Sequence, residues 1–132
     1  MIVLDEQLLG RNLEIEIARW YPGAILYVTG LRPNSVIKDD AIPTLLRAQN
    51  QPTFVTINET DFWRRIPLSE NYCVVCFALP DSRVREIPAR LRTLLEHEEF
   101  KTKSARMGKM IRVAEQEIVY YSMQDRAVRS LE

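Results

Sequence analysis

The residues that invite a chemical reading are carboxylates, and they recur at corresponding places along the chain. Asp5 and Glu6 follow the apolar run "IVL" directly, Asp39 and Asp40 stand together in "IKDDAIP", and Asp61 closes "TINETD". Several carboxylates gathered in one pocket repel unless a cation neutralises them, and a ligand set made only of oxygens suits Mg²⁺ or Mn²⁺. One or two such ions activate a water and stabilise the charge that develops on a phosphodiester. The plainer alternative is that each Asp caps the helix after it, worth about 0.5–2 kcal/mol apiece. For any one acid the cap is the simpler account; three acids delivered to one edge favour the metal.

Whether they meet depends on the elements that carry them. "IVL" reads as a short buried strand, and Leu8, Leu9, Leu13, Ile17 and Trp20 recur at near-helical spacing over residues 7–20 until Pro22-Gly23. A second strand is expected at 24–30. The next helix begins at Asp39-Asp40, with Asp40 as its cap and Pro43 tolerated in the first turn, and it runs to about Asn50. A third strand is expected at 53–57, a short helix at 61–66, a wholly apolar fourth strand at 72–79 and an amphipathic helix at 83–98. Alternating strands and helices predict an α/β fold: a three-layer sandwich with a mostly parallel central sheet covered on both faces. All strand ends then point one way, and Asp5, Asp39 and Asp61 reach the same edge, where open α/β sheets bind ligands. Residues 1–100 form this core. Residues 101–132 add a basic segment and a β-hairpin, "KMIRVA" with "EIVYYS", that must pack on the core or on a partner because a lone hairpin is marginal.

Composition excludes several classes. The chain has 132 residues, 46% of them hydrophobic and 27% charged, with 18 basic and 18 acidic side chains, so no global field marks a nucleic-acid or membrane partner. No apolar run approaches the roughly 18 residues of a membrane helix, and no signal-peptide pattern opens the chain, so a cytoplasmic protein without a membrane partner is expected. Cys73 and Cys76 form a CxxC, but they lie mid-strand and the single histidine, His97, cannot complete a zinc site, so both read as small buried hydrophobes. Cations that could meet phosphate are Arg64 and Arg65, directly after Asp61, and the run Lys101, Lys103, Arg106, Lys109 and Arg112, which is either a phosphate-tracking patch or a solvated connector.

"IVLDE", "KDDAIPTLLRAQNQPTFVTINETDFWRRI" and "YCVVCFALPD" together resemble the PIN-like ribonuclease superfamily, in its short branch related to Mut7-C and to the toxins of bacterial toxin-antitoxin pairs. The likeness covers about residues 1–80 and lies in the order, spacing and strand context of short motifs. It implies a Mg²⁺- or Mn²⁺-dependent endoribonuclease in which Asp5, Asp39 and Asp61 are the catalytic and metal-binding acids. Glu6, Asp40 and Asn58 are secondary metal candidates, and Thr56 matches the threonine that opens the last segment, on the substrate side with Arg64 and Arg65. The departure is Asn58: the segment is one residue longer than the usual form, and an amide stands where the first Asp is expected. By the same analogy the partners are an RNA substrate, a cognate antitoxin protein and a second copy in a homodimer.

Two other readings stay open at this point. The chain can keep the fold and act as a catalytically inactive interaction module through the hairpin and Tyr120-Tyr121, whose neighbouring rings point to opposite faces of a strand. A flavodoxin-like receiver shares the alternating pattern and the early acids, but it wants a Lys at the end of its last strand, and "YCVVCFALPD" has none.

Overall fold

A computed structural model of the chain describes residues 1–131. Seven strands form one sheet: β1 (Ile2–Leu4), β2 (Ile25–Tyr27), β3 (Thr53–Thr56), β4 (Cys73–Phe77), β5 (Lys109–Val113), β6 (Ile118–Ser122) and β7 (Arg129–Ser130). Their order is β2-β1-β3-β4-β5-β6-β7. β1 to β5 run parallel, whereas β6 pairs antiparallel with β5, and β7 antiparallel with β6, at one margin. The hairpin β5–β6 thus extends the core sheet instead of standing apart from it.

Helices cover both faces, as an apolar parallel sheet requires. On one face α1 (Leu13–Ala18) and α4 (Ile87–Glu96) pack Leu13, Ile17, Leu91 and Leu94 against Leu4, Val55, Val75 and Ile111. On the other, α2 (Ile42–Arg47) and α3 (Glu59–Phe62) bring Ile42, Leu46 and Phe62 onto Val3, Phe54, Val74 and Met110. A last short helix, α5 (Lys103–Arg106), leads into β5. The expected α/β architecture, mostly parallel with helices on both sides, is therefore present. No helix among the described residues is long and apolar enough to cross a membrane.

Several boundaries move, for local reasons. The helix expected over 7–20 is divided into a 3-10 turn at Glu6–Leu8 and α1, because Gly10 (φ 78°) and Asn12 (φ 60°) take left-handed conformations that a continuous helix cannot contain. The second strand stops at Tyr27 and continues as a 3-10 turn, Val28–Leu31. Asp40 caps nothing: Asp39–Ala41 is itself a 3-10 turn, Ala41 occupies the N-cap of α2, and neither N-cap position makes a side-chain bond. α2 ends at Arg47, short of Asn50. The short helix expected at 61–66 starts two residues earlier, because Asn58 caps it, and Arg64 at φ 60° prevents its continuation. The first part of the helix expected from residue 83 is a 3-10 segment, Asp81–Glu86.

Candidate active site

Asp5 leaves β1 at the carboxyl edge of the parallel strands and is only 3% exposed. Two donors hold its carboxylate. The Thr56 hydroxyl, at the end of the neighbouring β3, donates to Oδ2 at 2.6 Å, and the Glu6 amide donates to Oδ1 at 2.8 Å. The capping role and the site role are therefore compatible at this residue: one oxygen caps the Glu6–Leu8 turn and the other faces β3.

Thr56 relays this contact onward. Its Oγ1 accepts the Asn58 amide at 3.0 Å, Asn58 Oδ1 accepts the Asp61 amide at 3.2 Å, and Asn58 Nδ2 donates to Asp61 Oδ2 at 2.6 Å. A continuous hydrogen-bonded chain, Asp5–Thr56–Asn58–Asp61, thus ties the end of β1 to the first turn of α3. Asn58 is both the helix cap and the residue that orients the Asp61 carboxylate.

Asp39 lies on the 3-10 turn before α2, near enough to Asp61 for that carboxylate to act on its own. Burial raises the Asp5 carboxyl above its ordinary value against the opposing pull of Thr56 and of the Glu6 amide, and Asp39 and Glu6 add like charge. The Asp39 carboxyl is raised too, first by its partial desolvation and then by Asp61, with Glu6 and Asp40 contributing. Four acids therefore sense one another at this edge: Asp5 below and Glu6, Asp39 and Asp61 exposed around it.

The contacts between these acids are pairwise. Among the described residues no three His, Cys, Asp or Glu side chains stand close enough together to hold one metal ion as placed. In donor chemistry and charge the set suits a hard divalent cation, since it offers only oxygens and has uncompensated negative charge.

A cation on the same face of the sheet is Arg112, which the sequence reading assigned only to the basic run. Register places Thr56 beside Cys76, and Cys76 beside Arg112, so these three side chains and Asp5 form one row across the same face. The Arg112 guanidinium is engaged by Glu59 of α3 and lies 3.6 Å from Glu117. Glu59 is a site neighbour that sequence reasoning missed. Its signal was the acidic first turn after Asn58, which on its own is indistinguishable from helix-dipole decoration.

Arg64 and Arg65 follow α3 away from the acids. The Arg64 guanidinium lies 5.2 Å from the centroid of the Tyr121 ring, where Arg126 stands at 5.0 Å. Arg65 is exposed. Trp63 also meets Tyr121, edge to face, and Phe62 is buried against Phe54, so neither aromatic is splayed toward the carboxylates.

The two cysteines are free and buried, with Cys73 in the core of one face and Cys76 in the other. Burial pushes the Cys73 thiol up to about 12 and the Cys76 thiol up as well, which removes the thiolate that redox or metal chemistry needs.

No family model, no curated protein and no solved structure matches the chain.

Proposed function

We propose that the protein is a Mg²⁺- or Mn²⁺-dependent endoribonuclease of PIN-like type, the toxin half of a bacterial toxin-antitoxin pair. The observation that carries this reading is the buried Asp5 carboxylate, fixed by Thr56 and connected through Asn58 to Asp61. A carboxylate held below its neighbours in this way costs stability unless a cation relieves it.

In this reading Asp5, Asp39 and Asp61 would hold the ion, with Glu6 and Asp40 at its rim and the Asn58 amide oxygen as a neutral neighbour. When bound, the ion supplies an activated water and neutralises charge on the phosphodiester. The chain's own residues do the positioning. Thr56 fixes the orientation of Asp5, Asn58 fixes that of Asp61, and Arg112, released from Glu59, offers a guanidinium to a phosphate on the same face. Arg64 and Arg65 contact the RNA backbone farther out.

A second reading, an inactive PIN-like interaction module, is favoured by one observation: among the described residues no three ligands are gathered as placed. The two are separated by cleavage of a structured RNA in Mn²⁺, in Mg²⁺ and in EDTA, beside an Asp5→Asn/Asp61→Asn double variant. The nuclease reading expects cutting with metal only, and a fall of about 100-fold or more in the variant, since changes even to outer-sphere partners of a metal cost about 10–100-fold. Equal behaviour of the two proteins would remove metal catalysis at this edge and leave the interaction module.

A further inference from the structure

At the opposite edge of the sheet, where the parallel strands begin, lies a cavity of 480 Å³ whose lining includes Tyr21, Pro22, Asn50, Lys101, Lys103 and Arg106. Among the described residues no carboxylate lines it. We infer that this cavity is a phosphate site, in which Arg106, Lys101 and Lys103 bind the phosphate of a ligand of about nucleotide size.

Arg106 is the anchor. It is 7% exposed, and its guanidinium is clamped on two sides: Nε donates to Thr53 Oγ1 at 3.2 Å, and Nη1 donates to the Phe100 carbonyl at 2.8 Å and the Lys101 carbonyl at 3.5 Å. All three partners are neutral. Among the described residues Nη2 has no partner and no acid pairs with the group. A buried guanidinium without an acid is uncommon, because its desolvation is ordinarily offset by a carboxylate. Here the clamp presets the orientation of the remaining N–H donors, which is the arrangement in which Arg takes a phosphate.

The flanking cations complete the charge. Lys101 and Lys103 are exposed at the rim; Lys101 has only a solvent-screened neighbour, Glu98, at 3.7 Å, and Lys103 has no acid partner among the described residues. Three positive charges exceed the two of a phosphate dianion and have the sign to hold one. The other wall is apolar: the Tyr21 ring and Pro22 present a flat surface of the kind that accepts a base or sugar. Gly23 makes that wall possible, since a Cβ there would stand 2.8 Å from the Tyr21 ring. The volume falls within the range of about 300–1,000 Å³ usual for small-molecule pockets. This site is separate from the acidic edge, because strands of three to five residues hold the two edges about 10–17 Å apart at roughly 3.3 Å per residue. It does not depend on the nuclease reading.

The test is thermal unfolding and calorimetric titration of the whole protein with inorganic phosphate and with AMP, each matched in ionic strength by NaCl. Lys101→Glu/Lys103→Glu is compared with Arg32→Glu/Lys38→Glu, an equal charge change at exposed positions elsewhere. At about a hundred times Kd, AMP is expected to raise Tm by about 5–10 °C. Affinity should fall at least about tenfold in the Lys101/Lys103 variant and not in the control. Phosphate should bind too, more weakly than AMP. A response that NaCl reproduces, or that both variants lose alike, overturns the site as a nonspecific salt effect. Binding of phosphate with no gain from AMP overturns the nucleotide-sized occupant.

Discussion

The two edges of the sheet have opposite charge and opposite construction. At the carboxyl edge a buried anion, Asp5, is surrounded by further anions, and its donors come from β3 and from its own turn. At the amino edge a buried cation, Arg106, is surrounded by further cations, and its acceptors are a β3 hydroxyl and two carbonyls. β3 serves both, with Thr53 at one end and Thr56 at the other. A chain with no net charge has thus been polarised along its strands. Each end has one charge fixed by neutral hydrogen bonds and, among the described residues, left without a counter-ion. Neutral clamps, and not ion pairs, orient these two charged groups.

The comparison can be broken most severely at Arg106. Arg106→Met keeps much of the aliphatic volume but leaves Thr53 Oγ1 and the Phe100 carbonyl without their donor, and should cost about 2–3 kcal/mol. Urea unfolding measures it. A variant as stable as the wild type would mean that the guanidinium does not hold the 100–101 turn to β3.

Thr56→Val tests the matching clamp at the other end. It removes the donor to Asp5 and the acceptor of the Asn58 amide, with an expected loss of about 1.5 kcal/mol at neutral pH. Because Thr56 pulls the Asp5 carboxyl down, its removal should also move the Asp5 titration to higher pH, which carboxyl NMR reads directly.

Asp5→Asn should act in the opposite direction to both. The folded Asp5 carboxyl titrates above its unfolded value near 3.8, so the folded state binds the proton more tightly. Stability of the wild type therefore falls as pH rises from that value through the raised one, and the penalty persists at neutrality. The amide removes the penalty and still accepts the Glu6 amide. We expect Asp5→Asn to be the more stable protein at pH 7 without metal, the gain disappearing as pH falls below about 4, and a loss of that advantage when Mn²⁺ is added to both proteins. A destabilised variant at pH 7 would show that hydrogen bonds to the charged form outweigh its burial.

How much of this was legible differs between the edges for a physical reason. Asp5 and Asp61 follow strands, and a parallel sheet sends every strand end the same way, so periodicity alone brings them to one edge. The pattern "KMIRVA" likewise placed β5. The caps were not legible at Asp39-Asp40, because a 3-10 turn and an α-helix begin with the same residue types. Nor was the break at Gly10 to Asn12, since apolar spacing continues across a left-handed turn. The basic run was legible only as a run. Folding divides it: Arg106 is buried at the amino edge, Lys109 meets Glu99, and Arg112 reaches the carboxyl edge and Glu59. Burial of Arg106 depends on Thr53, fifty-three residues away, and no local pattern encodes that.

The smallest effect is the most discriminating for the acidic edge. Asn58→Asp keeps the oxygen that caps α3 and replaces the amide that donates to Asp61 with a second carboxylate. In EDTA the exposed repulsion and the lost bond should lower stability by only about 0.5 kcal/mol. With Mn²⁺ the added charge becomes a ligand, and the variant should gain more in Tm than the wild type does. That sign reversal is a property of a cation site and not of a capped helix. If Mn²⁺ moves both proteins equally, Asn58 and Asp61 lie outside any metal site, and the chain Asp5–Thr56–Asn58–Asp61 serves only to fasten α3 to the sheet.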